Sequence, residues 1–365
     1  MSDIAIAAED HHEHDHPSWL AHHFDDAEQQ FDAGKLGMWL FLVTEVLFFS
    51  GMFCAYAMYR SMNPAIYEFA SQFLNAKLGA INTGVLLFSS LTMAWAVRAA
   101  QLSQHRTLIS MLAMTLSCAA IFLGVKTVEY SHKWSIGLLP GKHYITQGTG
   151  YHSEFPYLTY LCVPAAICLV IFFVWYFMTL VKSDSVQRQI SGPLLVAALC
   201  FFGGVGLGMY LESLEEQEHG SHAAHAQADH AHGDHAHAGH ADSSHAHEPA
   251  AAAPMKSVAL VSASTSISQG HPDQVFVDPK LAGIDHPEVN QKSKAGIFFG
   301  IYYCMTGVHA IHILGGMVVI TWLIVKAARK EFHSKYFGPV DNVGLYWHLV
   351  DFIWIYLFPL LYLIK

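Results

Sequence analysis

Apolar residues in this chain come in seven long runs, at roughly 37–60, 78–100, 107–129, 157–181, 190–211, 295–326 and 341–364. An α-helix rises 1.5 Å per residue, so about 20 residues cross a hydrocarbon layer about 30 Å thick. Strands of a membrane barrel would be about 10 residues long and would alternate in polarity, which these runs do not. Backbone groups in hydrocarbon must find partners inside their own segment, so each run is expected as an α-helix. The expected fold is all-α, a polytopic transmembrane bundle of seven spans.

Composition agrees with that pattern. Of 365 residues, 53% are hydrophobic and 13% charged, about half the charge of an ordinary soluble domain. Nineteen Lys and Arg against 29 Asp and Glu leave a formal charge of −10. No basic stripe is present to neutralise phosphates, so nucleic acid is excluded as a partner. The six cysteines all fall inside apolar runs and form no CxxC, as expected of small buried side chains rather than a disulfide framework.

The polar stretches divide the chain. Residues 1–36 form an acidic arm with a HHEHDH run at 11–16, a possible metal-binding segment. No basic stretch there leads into an apolar core with a cleavage site, so no secretory signal peptide is expected. Residues 37–134 carry three spans, 135–211 a loop and a two-helix hairpin, 212–294 a long polar loop, and 295–365 the last two spans. Within the long loop, residues 219–247 hold ten histidines among Ala, Asp, Ser and Gly. Such a composition buries too little apolar surface to offset chain entropy, so disorder is expected. Its clustered imidazoles, among them His230, His232, His235 and His237, could bind copper, nickel or zinc, either incidentally or as a metal buffer.

Short loops set the orientation. With the N-terminus inside, internal loops carry Arg98, Arg106, Lys182, Arg188, Lys326, Arg329, Lys330 and Lys335, against Arg60, Lys77, Lys133 and Lys142 outside. Eight against four favours a cytoplasmic N-terminus, with the C-terminus and the His-rich loop outside.

Charge inside a span costs at least about 2.5–3.5 kcal/mol and needs a reason. Glu45 lies well inside the first run, where a lone carboxylate is expected to be protonated or paired. It could serve structure, bonded to a neighbouring helix, or function, in proton or lipid contact. Glu129 ends the third run with Lys126 one turn earlier, a spacing that suits an ordinary interfacial i,i+3 pair within reach of headgroups. His309 and His312 share one face of the sixth span, and His348 and Asp351 one face of the seventh. Four such side chains could bind a metal or form a hydrogen-bonded polar seam between helices, and their spacing is compatible with both. Gly315 and Gly316, one turn beyond His312, would permit close helix approach. Trp39, Trp95 and Trp347 are expected as packing and interfacial anchors. The GGVGLG stretch at 203–208 permits tight packing and is expected to dock the hairpin on a partner.

Five runs together resemble subunit III of the haem-copper cytochrome oxidases: GMWLFLVTEVLFFSGMFCAYAMYR (37–60), LGAINTGVLLFSSLTMAWAVRAA (78–100), IFLGVKTVEYSHKW (121–134), MTGVHAIHILGGM (305–317) and VGLYWHLVDFIWIYLFPLLYLI (343–364). They occur in the family's order, and Asn82, Thr83 and Trp95 also sit where its motif has them. The resemblance implies an accessory subunit without haem or copper of its own. It would pack on a catalytic subunit I alongside subunit II, both expected to carry the haem and copper, in a proton-pumping complex that passes electrons from cytochrome c to oxygen. It also implies phospholipid held in a cleft and support of proton uptake. Glu45 matches the family's carbodiimide-reactive intramembrane glutamate, and Glu129, His309, His312, His348 and Asp351 match other polar motif positions. In that context the histidines are implied to be internal hydrogen-bond partners rather than metal ligands.

Two departures stand out. The chain resembles the shorter bacterial form, lacking two helices ahead of the Glu45 helix, and it carries an insertion at about 135–294 with two extra spans and the His-rich loop. A bacterial plasma membrane is the expected location. Competing readings are a divalent-metal transporter, suggested by the His-rich loop but lacking repeated halves, and subunit III of a quinol oxidase or nitric oxide reductase. No nucleophile–base arrangement or phosphate loop appears, so no catalysis by this chain alone is expected.

Overall fold

A computed structural model describes residues 24, 26–140, 155–232 and 287–363, with the backbone alone at 215–232 and 287–294. The described residues form eight helices: α1 (Ala27–Met62), α2 (Pro64–Ser71), α3 (Ala76–Gln101), α4 (His105–Ser135), α5 (Tyr157–Lys182), α6 (Ser185–His232), α7 (Pro287–Ala328) and α8 (Gly338–Tyr362). Seven are long and apolar enough to cross a membrane, over Ala27–Met62, Ala76–Gln101, His105–Ser135, Tyr157–Lys182, Ser185–Leu214, Ala295–Ala328 and Gly338–Tyr362. These are the seven runs expected from the sequence, and the protein is a multi-pass helical membrane protein.

The helix ends follow local polar chemistry rather than the apolar runs. Asp26 caps α1 by accepting from the Gln29 amide at 2.7 Å, which starts the helix ten residues ahead of the apolar stretch. Asn75 does the same for α3 through the Leu78 amide. Asp184 accepts from the amides of Val186 and Gln187 at the start of α6. The extra helix α2 begins with Pro64 in its first turn, where a missing N–H costs nothing. α6 continues to His232, beyond the apolar run. The side chains of His230 and His232 and all of His235 and His237 lie outside the described residues, as does the HHEHDH segment.

The core is built where α3, α4, α7 and α8 meet, around Leu86, Met93, Leu116, Phe122, Trp347 and Trp354. Gly316 of α7 makes room for one of these rings: a Cβ there would lie 2.8 Å from Trp347 Cζ3. α1 buries only Leu42, Phe49 and Tyr56, spaced by seven, which is one narrow stripe of a helix. Met52 and Phe53 pack partly against the core, and much of the remaining apolar surface of α1 is exposed. α5 is more peripheral still, burying Thr179 alone. The hairpin is nonetheless docked, because α6 lays Gly204 and Gly208 against α4 of the same chain. His132 of α4 and Glu212 of α6 close that contact at 2.9 Å.

Candidate functional site

Three polar clusters lie among the spans, and each joins helices distant in sequence. The first links α1 to α7. His312 Nε2 is 3.0 Å from Glu45 Oε2, and its Nδ1 is 2.8 Å from the Val308 carbonyl oxygen. A carbonyl oxygen only accepts, so Nδ1 carries a hydrogen and donates it. Nε2 then faces the carboxyl group in one of two ways. Either a neutral imidazole accepts from a protonated Glu45, or an imidazolium donates to a carboxylate. Both arrangements hold one proton between the two groups and have no net charge, which is how an ionisable pair survives in hydrocarbon. The pair is edged by Phe49 with ring centroids 5.2 Å apart, and Tyr346 of α8 donates to the His312 carbonyl oxygen. Glu45 and His312 retain 18% and 20% side-chain exposure, so the pair sits at the rim of the bundle.

The second cluster joins α3 to α8. Asp351 is buried; its Oδ2 accepts from Ser90 and lies 3.0 Å from Ser89 Oγ, whose one hydrogen is shared with the Leu86 carbonyl oxygen at 2.7 Å. Trp347 Nε1 donates to Ser89 Oγ at 3.0 Å. His348 Nδ1 lies 3.3 Å from Ser90 Oγ, whose single hydrogen goes to Asp351, so the ring nitrogen is the donor. Two short relays thus converge on one carboxyl group. His348 and Asp351 meet as the shared helix face suggests, though through Ser90 rather than directly. Thr83 accepts from Trp354 Nε1 at 3.1 Å. Asn82 is fully buried beside it, with both ends of its amide unpartnered among the described residues. His309 is also fully buried, set between Phe122 and Trp354 at ring distances of 5.6 and 5.2 Å. Neither of its ring nitrogens has a partner among the described residues. His309 and His312, one turn apart, therefore do not work together. Trp347 packs in the core, whereas Trp95, 56% exposed, and Trp39 lie on the outer surface.

The third cluster revises the reading of Glu129. The Lys126 pair forms, at 2.6 Å, but it is not an interfacial pair. Exposure is 5% for Lys126 and 3% for Glu129. Tyr302 of α7 and Tyr362 of α8 close over it, donating to Glu129 Oε1 at 2.8 and 2.7 Å. Lys133, also 3% exposed, donates to the same oxygen at 2.7 Å. Lys126 further lies over the Trp354 ring at 4.5 Å. The i,i+4 spacing of Glu129 and Lys133 could have revealed the third charge. Nothing local could have revealed the two tyrosines. Among the described residues no group of three or more His, Cys, Asp or Glu side chains gathers in a metal-binding arrangement.

Comparison with known proteins bears on the same segments. The family model described as cytochrome c oxidase subunit III matches residues 21–183 and 282–365. That match takes in α5 and breaks off at the start of α6, so the unmatched stretch, 184–281, is narrower than the insertion expected at 135–294. Curated relatives align over shorter stretches. A "Heme-copper oxidase subunit I+III" of Aeropyrum pernix is 37% identical over 71 residues, 19% of this chain and 9% of the relative. A "Probable cytochrome c oxidase subunit 3" of Mycobacterium tuberculosis is 34% identical over 65 residues, 18% and 32% of the two chains. A "Cytochrome c oxidase subunit 3" of Thermostichus vulcanus is 35% identical over 72 residues, 20% and 36%. The alignments thus span between 9% and 36% of these relatives' lengths. The family match, by contrast, spans well over half of this chain and contains every member of the three polar clusters. This multi-pass protein belongs to the cytochrome c oxidase subunit III family.

Proposed function

We propose that the chain is a non-catalytic accessory subunit of a proton-pumping haem-copper terminal oxidase, one that takes electrons from cytochrome c to oxygen. Haem and copper reside in its partner subunits I and II, and this chain stabilises the catalytic subunit. The single observation that carries this reading is the Glu45–His312 pair at 3.0 Å. It keeps a transferable proton on α1, a helix that buries only Leu42, Phe49 and Tyr56 against the rest of the chain. Its exposed surface suits a partner subunit and annular phospholipid, and the pair is placed to support proton uptake there. The other polar clusters serve to hold α3, α4, α7 and α8 in register.

The preferred orientation has a cytoplasmic N-terminus in a bacterial plasma membrane. It is supported by the tight turns at Ser103, Ser183 and Lys330, all with positive φ. Alternation of the spans puts these turns at one end of the bundle, together with Arg98, Arg106, Lys182, Arg188, Lys326 and Arg329.

The test is purification through this chain in mild detergent, followed by a reduced-minus-oxidised absorption spectrum. An a-type haem signal with a large co-purifying subunit is the expected result, and a c-type band beside it identifies the donor. A colourless preparation of this chain alone, loaded with zinc, would overturn the reading in favour of a transporter.

A further inference from the structure

Asp351 lies near the middle of α8, thirteen residues from Gly338 and eleven from Tyr362, and it is 2% exposed. Its two oxygens differ. Oδ2 faces Ser89 and Ser90, whereas Oδ1 is buried with no partner among the described residues. In the carboxylate form Oδ1 therefore carries charge that nothing solvates, a cost that a buried acid escapes by taking up a proton. A proton on Oδ1 would have no acceptor. On Oδ2 it points at Ser90 Oγ, the nearer of the two serine oxygens. Ser89 is otherwise engaged, giving its hydrogen to the Leu86 carbonyl oxygen and accepting from Trp347 Nε1.

Ser90 has one hydrogen, and His348 Nδ1 stands 3.3 Å from its oxygen. The three side chains thus have two complete hydrogen-bond arrangements. In the first, a His348 imidazolium donates to Ser90 and Ser90 donates to an Asp351 carboxylate. In the second, the Asp351 carboxyl group donates to Ser90 and Ser90 donates to a neutral imidazole. The second becomes the first when the Oδ2 proton moves to Ser90 Oγ as the Ser90 hydrogen passes to Nδ1. Neither arrangement carries a net charge, so both are compatible with hydrocarbon. Burial falls off along the chain, since Asp351 is buried while Ser90 and His348 are half-buried. His348 shares its face of α8 with Phe352, four residues on and 63% exposed.

We propose that Asp351, Ser90 and His348 form a proton relay, in which Asp351 stores a proton inside the bundle and His348 is the port through which it exchanges. The relay shares no residue with the Glu45–His312 pair, which belongs to α1 and α7. It rests on the accessory-subunit reading only for its use, since it would give proton uptake a second proton-holding site. The transfer itself needs nothing beyond these three side chains.

The experiment follows the infrared spectrum of the whole complex, purified through this chain, after transfer from H2O to D2O. The protonated-carboxyl band that Asp351→Asn removes is the Asp351 signal, and it is expected to be present and to shift on deuteration. Ser90→Ala breaks the relay and is expected to slow that shift about tenfold, the rate equivalent of one lost hydrogen bond. His348→Phe is expected to slow it likewise, and it supplies the same readout if Ser90→Ala does not assemble. Ser90→Thr keeps the hydroxyl group and is expected to exchange at the original rate, which a merely loosened bundle would not do. Absence of an Asp351 carboxyl band would overturn the store. Exchange unchanged in both Ser90→Ala and His348→Phe would overturn the relay. The haem spectrum of the same preparations tests the accessory-subunit reading separately, so a haem-containing complex with unchanged exchange would sink the relay alone.

Discussion

Gly124 of α4 and Gly204 of α6 meet reciprocally. A Cβ on Gly124 would stand 2.2 Å from the Phe201 carbonyl oxygen, and one on Gly204 would stand 2.4 Å from that of Ile121. One turn along, a Cβ on Gly208 would meet Val128 at 3.1 Å, and one turn further His132 faces Glu212. The pairs advance by four on both helices, so α4 and α6 run parallel in one register. In hydrocarbon, where apolar contact alone gives no preference for protein over lipid, such backbone approach supplies the packing that holds a helix in place.

Replacing Gly124 or Gly204 with leucine is therefore expected to push α6 off α4. Overpacking of this kind costs about 1–3 kcal/mol, and here backbone rather than a side chain blocks relief. The check is cross-linking yield between cysteines at 132 and 212, which should fall sharply in either variant. Gly206, whose Cβ would meet nothing within 4 Å, should accept leucine with the yield unchanged.

Glu129 anchors two ammonium groups, and its removal leaves both buried without an anion. Glu129→Gln is expected to cost about 3–5 kcal/mol, seen as loss of assembled complex and a lower thermal midpoint. Lys133→Met should cost less, because Lys126 and two tyrosine hydroxyls still saturate the carboxylate. A double-mutant cycle between Glu129 and Lys133 should give a coupling of about 0.5–3 kcal/mol. A coupling near zero would show that the two do not act as a pair.

The two intramembrane glutamates should differ in reactivity. Glu45 shares a proton with His312 at the bundle rim, whereas Glu129 is enclosed by four donors. A lipophilic carbodiimide, which needs a protonated carboxyl group, is expected to modify Glu45 and spare Glu129, read by peptide mass. Glu45→Gln keeps a hydrogen-bond donor toward His312 and should assemble normally while losing the label. Failure of that variant to assemble would make the pair structural first.

Asp351 is expected to tolerate asparagine better than leucine. Asn retains a carbonyl oxygen to accept from Ser89 and Ser90, whereas leucine leaves the Trp347 and His348 relays without an end point. The difference should be about 1–3 kcal/mol, the cost of orphaning buried polar groups, measured by thermal midpoints of the two variants side by side.

Much of the architecture was decided locally. The seven apolar runs specify seven helices because each span must satisfy its own backbone, whatever lies beside it. The i,i+3 spacing of Lys126 and Glu129 and the glycines at 203–208 are equally local, so the ion pair and the tight helix contact were legible before any fold was known. Helix starts were less so, since α1 begins at the Asp26 cap and not where apolar residues begin. What tertiary structure alone decided is which polar groups meet. Glu45 reaches His312 across 267 positions, and Glu129 reaches Tyr302 and Tyr362 across 173 and 233. His309 shares the motif and the helix of His312, yet it points into the Phe122–Trp354 contact and meets no polar partner among the described residues. A helix places neighbouring side chains about 100° apart, so residues close in the sequence can face different neighbours. Only the packing of α1, α4 and α8 around α7 settles whether a face finds a carboxylate, a phenol or an indole ring.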